Sequence, residues 1–133
     1  VTPGEADAVV GLEKLEALRF AHYLNIETGT VLVNDHELVP GSVPNAESIY
    51  PRETIDFLKS KGMRVVALPA SQTARDLGDA RMANVVMLGA LSTLLPIEQE
   101  VWEKTLKLRI PAKYLDGNLK AFESGYDAMQ KAI

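Results

Sequence analysis

The chain has 133 residues, enough for one packed core. Its 47% hydrophobic and 24% charged residues match ordinary globular usage and exclude a disordered tract. Fourteen Lys plus Arg stand against eighteen Asp plus Glu, a net charge of -4 spread in both signs along the chain; nucleic acid is therefore excluded as a partner gripped by counterion release. There is no cysteine, so disulfides, thiolate zinc sites, iron–sulfur ligation and thiol nucleophiles are excluded together.

In chain order, Asp7 to Gly11 is a short apolar run closed by glycine, and Leu12 to Leu24 is helical in pattern, the order of an α/β unit. Thr30-Val31-Leu32-Val33 is a second strand, ended by Asn34-Asp35. Asp35 to Tyr50 contains Pro40, Gly41, Pro44 and Asn45 without either structural period and is expected to be a long loop. Pro51 suits a first helical turn, Arg52 to Lys61 a helix, and Gly62 its end. Arg64 to Leu68 is a third strand. A short helix follows Pro69 through Asp76, Gly78 breaks it, and an apolar helix runs from Ala80 to Leu95 before Pro96. Two amphipathic helices finish the chain, Ile97 to Arg109 and one whose stripe is Leu115, Leu119, Phe122, Tyr126, Met129 and Ile133. The expected architecture is one α/β domain over residues 1–133, three-layer, with a mostly parallel sheet flanked by helices and a helical C-terminal half.

The longest apolar stretch, Ala83 to Pro96, is interrupted by Asn84, Ser92 and Thr93 and is shorter than the roughly 20 residues that cross a bilayer. With no signal-peptide pattern, a cytoplasmic location without membrane contact is expected. The chain opens on Val1, and a strand-like run follows almost at once, so an amino-terminal segment is expected upstream.

No Gly-x-Gly-x-x-Gly, phosphate loop or Gly-x-Ser-x-Gly is present. Asp35, His36 and Glu37 carry ligand atoms, but three adjacent residues diverge in extended chain, and the solvated-loop reading stands. His22 lies in an apolar helix beside no acid and reads as a packing residue. The helix over Leu12 to Leu24 is apolar almost all round, so its extra face, with Leu12, Glu16, Arg19 and Tyr23, needs a cover: a partner subunit, or a helix of the same chain with Glu16 and Arg19 as an exposed pair. Within Ala80 to Leu95, Asn84 would need hydrogen-bond partners if buried. Gly89 implies a close approach, most simply of another helix.

Several runs in order resemble a known family. They are Ala6-Asp7-Ala8-Val9-Val10-Gly11-Leu12-Glu13, Leu15-Glu16-Ala17-Leu18-Arg19, Thr30-Val31-Leu32-Val33-Asn34, Gly78-Asp79-Ala80-Arg81-Met82-Ala83-Asn84 with Val85 to Leu91, and Asn118 with Ala121-Phe122-Glu123-Ser124-Gly125-Tyr126. Together they resemble the gamma-type domain of 2-oxoacid:ferredoxin oxidoreductases, and within it the beta subunit of the indolepyruvate type. The family's opening Gly-Gly-Gln-Gly segment is not matched, so the chain corresponds to the C-terminal part of such a domain. The resemblance implies CoA-dependent oxidative decarboxylation of an aryl 2-oxoacid with electrons passed to ferredoxin. Thiamine diphosphate and the iron–sulfur clusters are implied on a large partner subunit, with no cofactor or metal on this chain, and a homodimer is possible when it is isolated.

No catalytic residue is nominated. Candidate interface or crevice residues are Glu13, Glu16 and Arg19 at the first helix, Asn34 at a strand end, and Asn84, because α/β crevices lie at strand carboxyl ends. Two other readings compete: a gamma subunit acting on pyruvate or 2-oxoglutarate, and a stand-alone ligand-binding α/β domain with the 35–50 loop as its lid.

Overall fold

In the computed structural model, residues 1–36 and 53–133 are described. They group into two compact units, Val1–Ala67 and Leu68–Ile133.

The first unit is built on a sheet of order β1-β2-β3. Strand β1 is Ala8–Gly11, β2 is Thr30–Asn34 and β3 is Arg64–Leu68. Strands β1 and β2 run parallel, with Ala8 beside Thr30 and Val10 beside Leu32. All five residues of β2 are buried, as an apolar β-branched strand in the middle of a parallel sheet should be. Helices α1 (Lys14–Phe20) and α2 (Thr54–Ser60) supply the cover. Val9, Ala17, Ala21, Val31, Val33, Leu58 and Val65 form the shared core. Gly62 ends α2 with φ 87°, a left-handed conformation that glycine adopts without steric cost.

Helix α1 is shorter than the apolar pattern from Leu12 to Leu24 predicts. Glu13 is extended (φ −154°, ψ 166°) and its carboxylate accepts from the Glu16 N–H at 2.7 Å, so it is the N-cap and Leu12 lies outside the helix. Glutamate is an uncommon cap, which hid the boundary. At the other end a 3₁₀ turn, Ala21–Tyr23, follows before Leu24 becomes extended. The predicted 35–50 loop falls outside the described residues from 37 onward, as do Pro51 and Arg52 of the second predicted helix.

The second unit is helical: α3 (Ala70–Asp76), α4 (Ala83–Ser92), α5 (Gln99–Arg109) and α6 (Ala112–Ala132). The helix predicted over Ala80 to Leu95 opens instead with a 3₁₀ turn, Ala80–Met82, capped by Asp79, whose carboxylate accepts from the Arg81 N–H at 2.9 Å. It stops at Ser92, where the Ser92 and Thr93 hydroxyls donate back to the Gly89 and Ala90 carbonyls at 2.6 and 2.8 Å. These local bonds compete with further helix, and Pro96 forbids it.

Helices α4 and α6 cross through two glycines. A Cβ on Gly89 would overlap the Phe122 carbonyl, and one on Gly125 would overlap the Val86 carbonyl. The close approach expected at Gly89 is thus a helix crossing, and it has a reciprocal glycine that the sequence reading did not single out. Around it Val86, Met87, Ala90, Ala121, Phe122 and Met129 are buried. Trp102 of α5 packs on Phe122, ring centroids 5.8 Å apart.

Candidate interface at the β1 edge and the strand ends

The carboxyl ends of β1 and β2 are tied together by side chains. Asn34 is buried, and its amide donates to the Leu12 carbonyl at 3.1 Å, bridging the two strand ends. The Lys14 N–H donates to the His36 carbonyl at 3.0 Å, and Lys14 Nζ pairs with Asp35 at 2.9 Å, the lysine side chain only 15% exposed. The lysine side chain is largely covered while Asp35 is half exposed, so the pair is partly screened by solvent. Glu13, one residue earlier, orients α1 by its cap. Asp35 and His36 therefore serve as a strand-end clasp, and the Lys14–Asp35 pair was missed because it joins two elements with no local spacing signal.

Along α1 the chain of contacts continues. Glu16 accepts from Arg19 at 3.0 Å in the expected exposed pair, and the Arg19 guanidinium sits 5.8 Å from the centroid of the Phe20 ring. The His22 ring is tilted against Tyr23 with centroids 4.1 Å apart, Tyr23 stacks with Phe20 at 6.3 Å, and His22 Nδ1 is 3.0 Å from the Arg19 carbonyl oxygen. His22 is exposed in the 3₁₀ turn after α1 and not inside the helix, and its ring contact is with Tyr23 at the surface.

The edge of the sheet adds a second feature. Thr30 N–H donates to the Asp7 carbonyl at 3.1 Å, and the parallel register then turns the backbones of Asp7, Val9 and Gly11 toward β2. Those of Ala8 and Val10 point away from β2, and no described residue bonds to them. Beside this free edge runs an apolar groove of about 400 Å³ lined by Val1, Ala6, Ala8, Val10, Phe20 and Tyr23. Among the described residues Leu12 is 54% exposed and Phe20, beside the extra face of α1, 46% exposed, whereas Tyr23 of that face packs partly onto the core.

Of the five nominated residues, Glu13, Glu16 and Arg19 lie at least partly exposed at the start and along α1, and Asn34 is buried beside them at the end of β2. Asn84 belongs to the second unit, on the exposed side of α4, where water solvates its amide; the hydrogen-bond partners that burial would have demanded are not needed. Among the described residues no three His, Asp or Glu side chains converge as metal ligands, and without cysteine the chain offers no thiolate to a cluster.

A parallel sheet with a helix behind its strands, a clasped set of strand ends and, among the described residues, an apolar groove beside β1 defines an α/β domain. The chain belongs to the pyruvate ferredoxin/flavodoxin oxidoreductase family, whose model matches residues 1–128. Among curated relatives it is 31% identical to indolepyruvate oxidoreductase subunit IorB of Thermococcus kodakarensis, covering 100% of this chain and 68% of the relative. It is 34% identical to IorB of Archaeoglobus fulgidus, covering 96% of this chain and 65% of the relative. The solved gamma subunit of a keto/oxoacid ferredoxin oxidoreductase from Geobacter sulfurreducens superposes with TM-score 0.71 at 26% identity, over 96% of this chain and 66% of that one. A 2-oxoglutarate:ferredoxin oxidoreductase from Magnetococcus marinus shares the fold, with TM-score 0.69 at 20% identity over 98% of this chain and 21% of that one. The chain spans about two thirds of the length of the IorB relatives and of the Geobacter subunit. No described helix is long and apolar enough to cross a membrane.

Proposed function

We propose that this chain is a gamma-type domain serving as the cofactor-free part of an indolepyruvate-type 2-oxoacid:ferredoxin oxidoreductase. A larger companion holds thiamine diphosphate and the iron–sulfur clusters. In that complex an aryl 2-oxoacid is oxidatively decarboxylated to the acyl-CoA, and the electrons go to ferredoxin. Carbanion chemistry comes from the thiamine group and electron transfer from the clusters, so this chain contributes shape and orientation.

The observation that carries the reading is the open surface from the β1 edge across Leu12 and Phe20, in a chain similar over its whole length to oxidoreductase subunits. Contiguous exposed apolar surface marks sites of association. Its neighbours Glu13, Glu16, Arg19 and Asn34 border the companion's reaction region, the polar groups fixing register while the apolar groups supply affinity.

Co-expression with a thiamine- and cluster-binding large subunit tests this. The two are expected to co-purify, and Phe20→Glu, placing a charge in the contact, is expected to release the companion while the chain stays folded by circular dichroism. A chain that never associates with such a subunit, or a Phe20→Glu complex as stable as the parent, refutes the proposal.

A further inference from the structure

Helix α5 carries an apolar stripe on the face away from its own unit. Trp102 and Leu106 turn inward, Trp102 onto Phe122 and Leu106 buried. On the opposite side Val101 is 51% and Leu108 84% exposed, and Ile97, just ahead of the helix, is 42% exposed. At about 100° per residue Val101 and Leu108, seven residues apart, fall within about 20° of each other, a seam of the width that one further helix covers.

The charges beside the seam are ordered along the helix. Glu98, Glu100 and Glu103 lie at its start, Lys104, Lys107 and Arg109 at its end, all but Glu98 within α5. By helical periodicity Glu100 and Lys107 flank the seam on one side and Arg109 on the other. An antiparallel second copy of α5 brings Val101 against Leu108 of the other copy and Glu100 against its Lys107, each contact occurring twice by symmetry. A parallel arrangement sets carboxylate against carboxylate and ammonium against ammonium.

We infer that the exposed face of α5 is a self-association surface, pairing antiparallel with α5 of a second copy about a two-fold axis. The seam is short beside the ~1,600 Å² of a standard interface, so the dimer is expected to be weak, with a dissociation constant on the order of 10–100 μM. Oligomeric state is read on the chain alone, so failure here leaves the proposed oxidoreductase role untouched.

Sedimentation equilibrium on the full chain between about 10 μM and about 1 mM tests the inference, since mass action makes the dimer fraction rise across that range. Glu100→Lys alone and Lys107→Glu alone are each expected to weaken association roughly tenfold, and the double substitution to restore it to within roughly threefold. Leu108→Glu is expected to leave a monomer throughout. These positions are exposed, and unchanged circular dichroism melts will confirm that each variant folds. A parent chain monomeric at the highest concentration, a dimer indifferent to Leu108→Glu, or a double variant as weak as the singles overturns it.

Discussion

Asn34 shows how one buried amide holds two strand ends in place. Its donation to the Leu12 carbonyl replaces water at a site only 3% exposed, so Asn34→Ala leaves that carbonyl without its donor. The expected cost is about 1–3 kcal/mol, measured as a lower denaturant midpoint with an unchanged slope. Asp79 works in a more open setting, at the surface and paired with the exposed Arg81. Hydrogen bonds from the Arg81 side chain and backbone hold its carboxyl below the usual range, and the same pair holds the Arg81 guanidinium above its ordinary value. A depressed carboxyl contributes stability above its unfolded pKa and loses it as pH falls through the folded value. Asp79→Ala is therefore expected to lower Tm at neutral pH, and thermal melts in a pH series should show the gap narrowing as pH falls below the ordinary carboxylate range. Asn34 was legible as a strand-end residue from the turn-forming pair that follows β2. Asn84 lies on the narrow stripe that the apolar pattern of its helix leaves open, and there it is exposed, so the partners that burial would demand are not called for.

At the scale of elements, the α4–α6 crossing sets the second unit. Both helices give up a side chain at the contact, so Gly89→Ala and Gly125→Ala each drive a methyl into a carbonyl of the other helix, where backbone cannot yield as a flexible side chain would. Each is expected to destabilise by about 3 kcal/mol or more despite alanine's better helix propensity, and the double substitution to cost less than the sum, because one displacement of the helices relieves both. Urea unfolding of the four-member cycle checks this. Gly89 was readable as a close approach because a mid-helix glycine is costly. Its partner was not, because Gly125 gives no local hint of which helix lies across it. Helix positions followed from period and proline, whereas ends set by glutamate capping or by Ser/Thr back-bonding did not, since those choices depend on tertiary surroundings.

For the whole molecule, the three strands and the helical C-terminal half were legible because apolar runs and glycine punctuation alternate clearly up to Leu68. Which strand stands at the rim of the sheet was not, since strand order is a long-range property. That order gives a residue-resolved prediction. In the chain alone the Ala8 and Val10 amides are expected to exchange with deuterium faster than those of Val9 and Gly11, which face β2; binding of the large companion across this surface is expected to slow the first pair selectively. NMR-detected exchange with and without the companion measures it. Equal protection of all four in the free chain contradicts the register read from β1 and β2.

The rim of the sheet also governs how the polypeptide behaves in bulk. Residues 2–13 contain three carboxylates, Glu5, Asp7 and Glu13, and no Lys or Arg, and Glu5 and Asp7 stand exposed beside the groove. Like-charge repulsion is thus the gatekeeper that keeps neighbouring molecules from stacking strand upon strand. Such a guard is weakened by salt and abolished by protonation, so turbidity is expected to rise on acidification toward pH 4 and to rise sooner at high ionic strength.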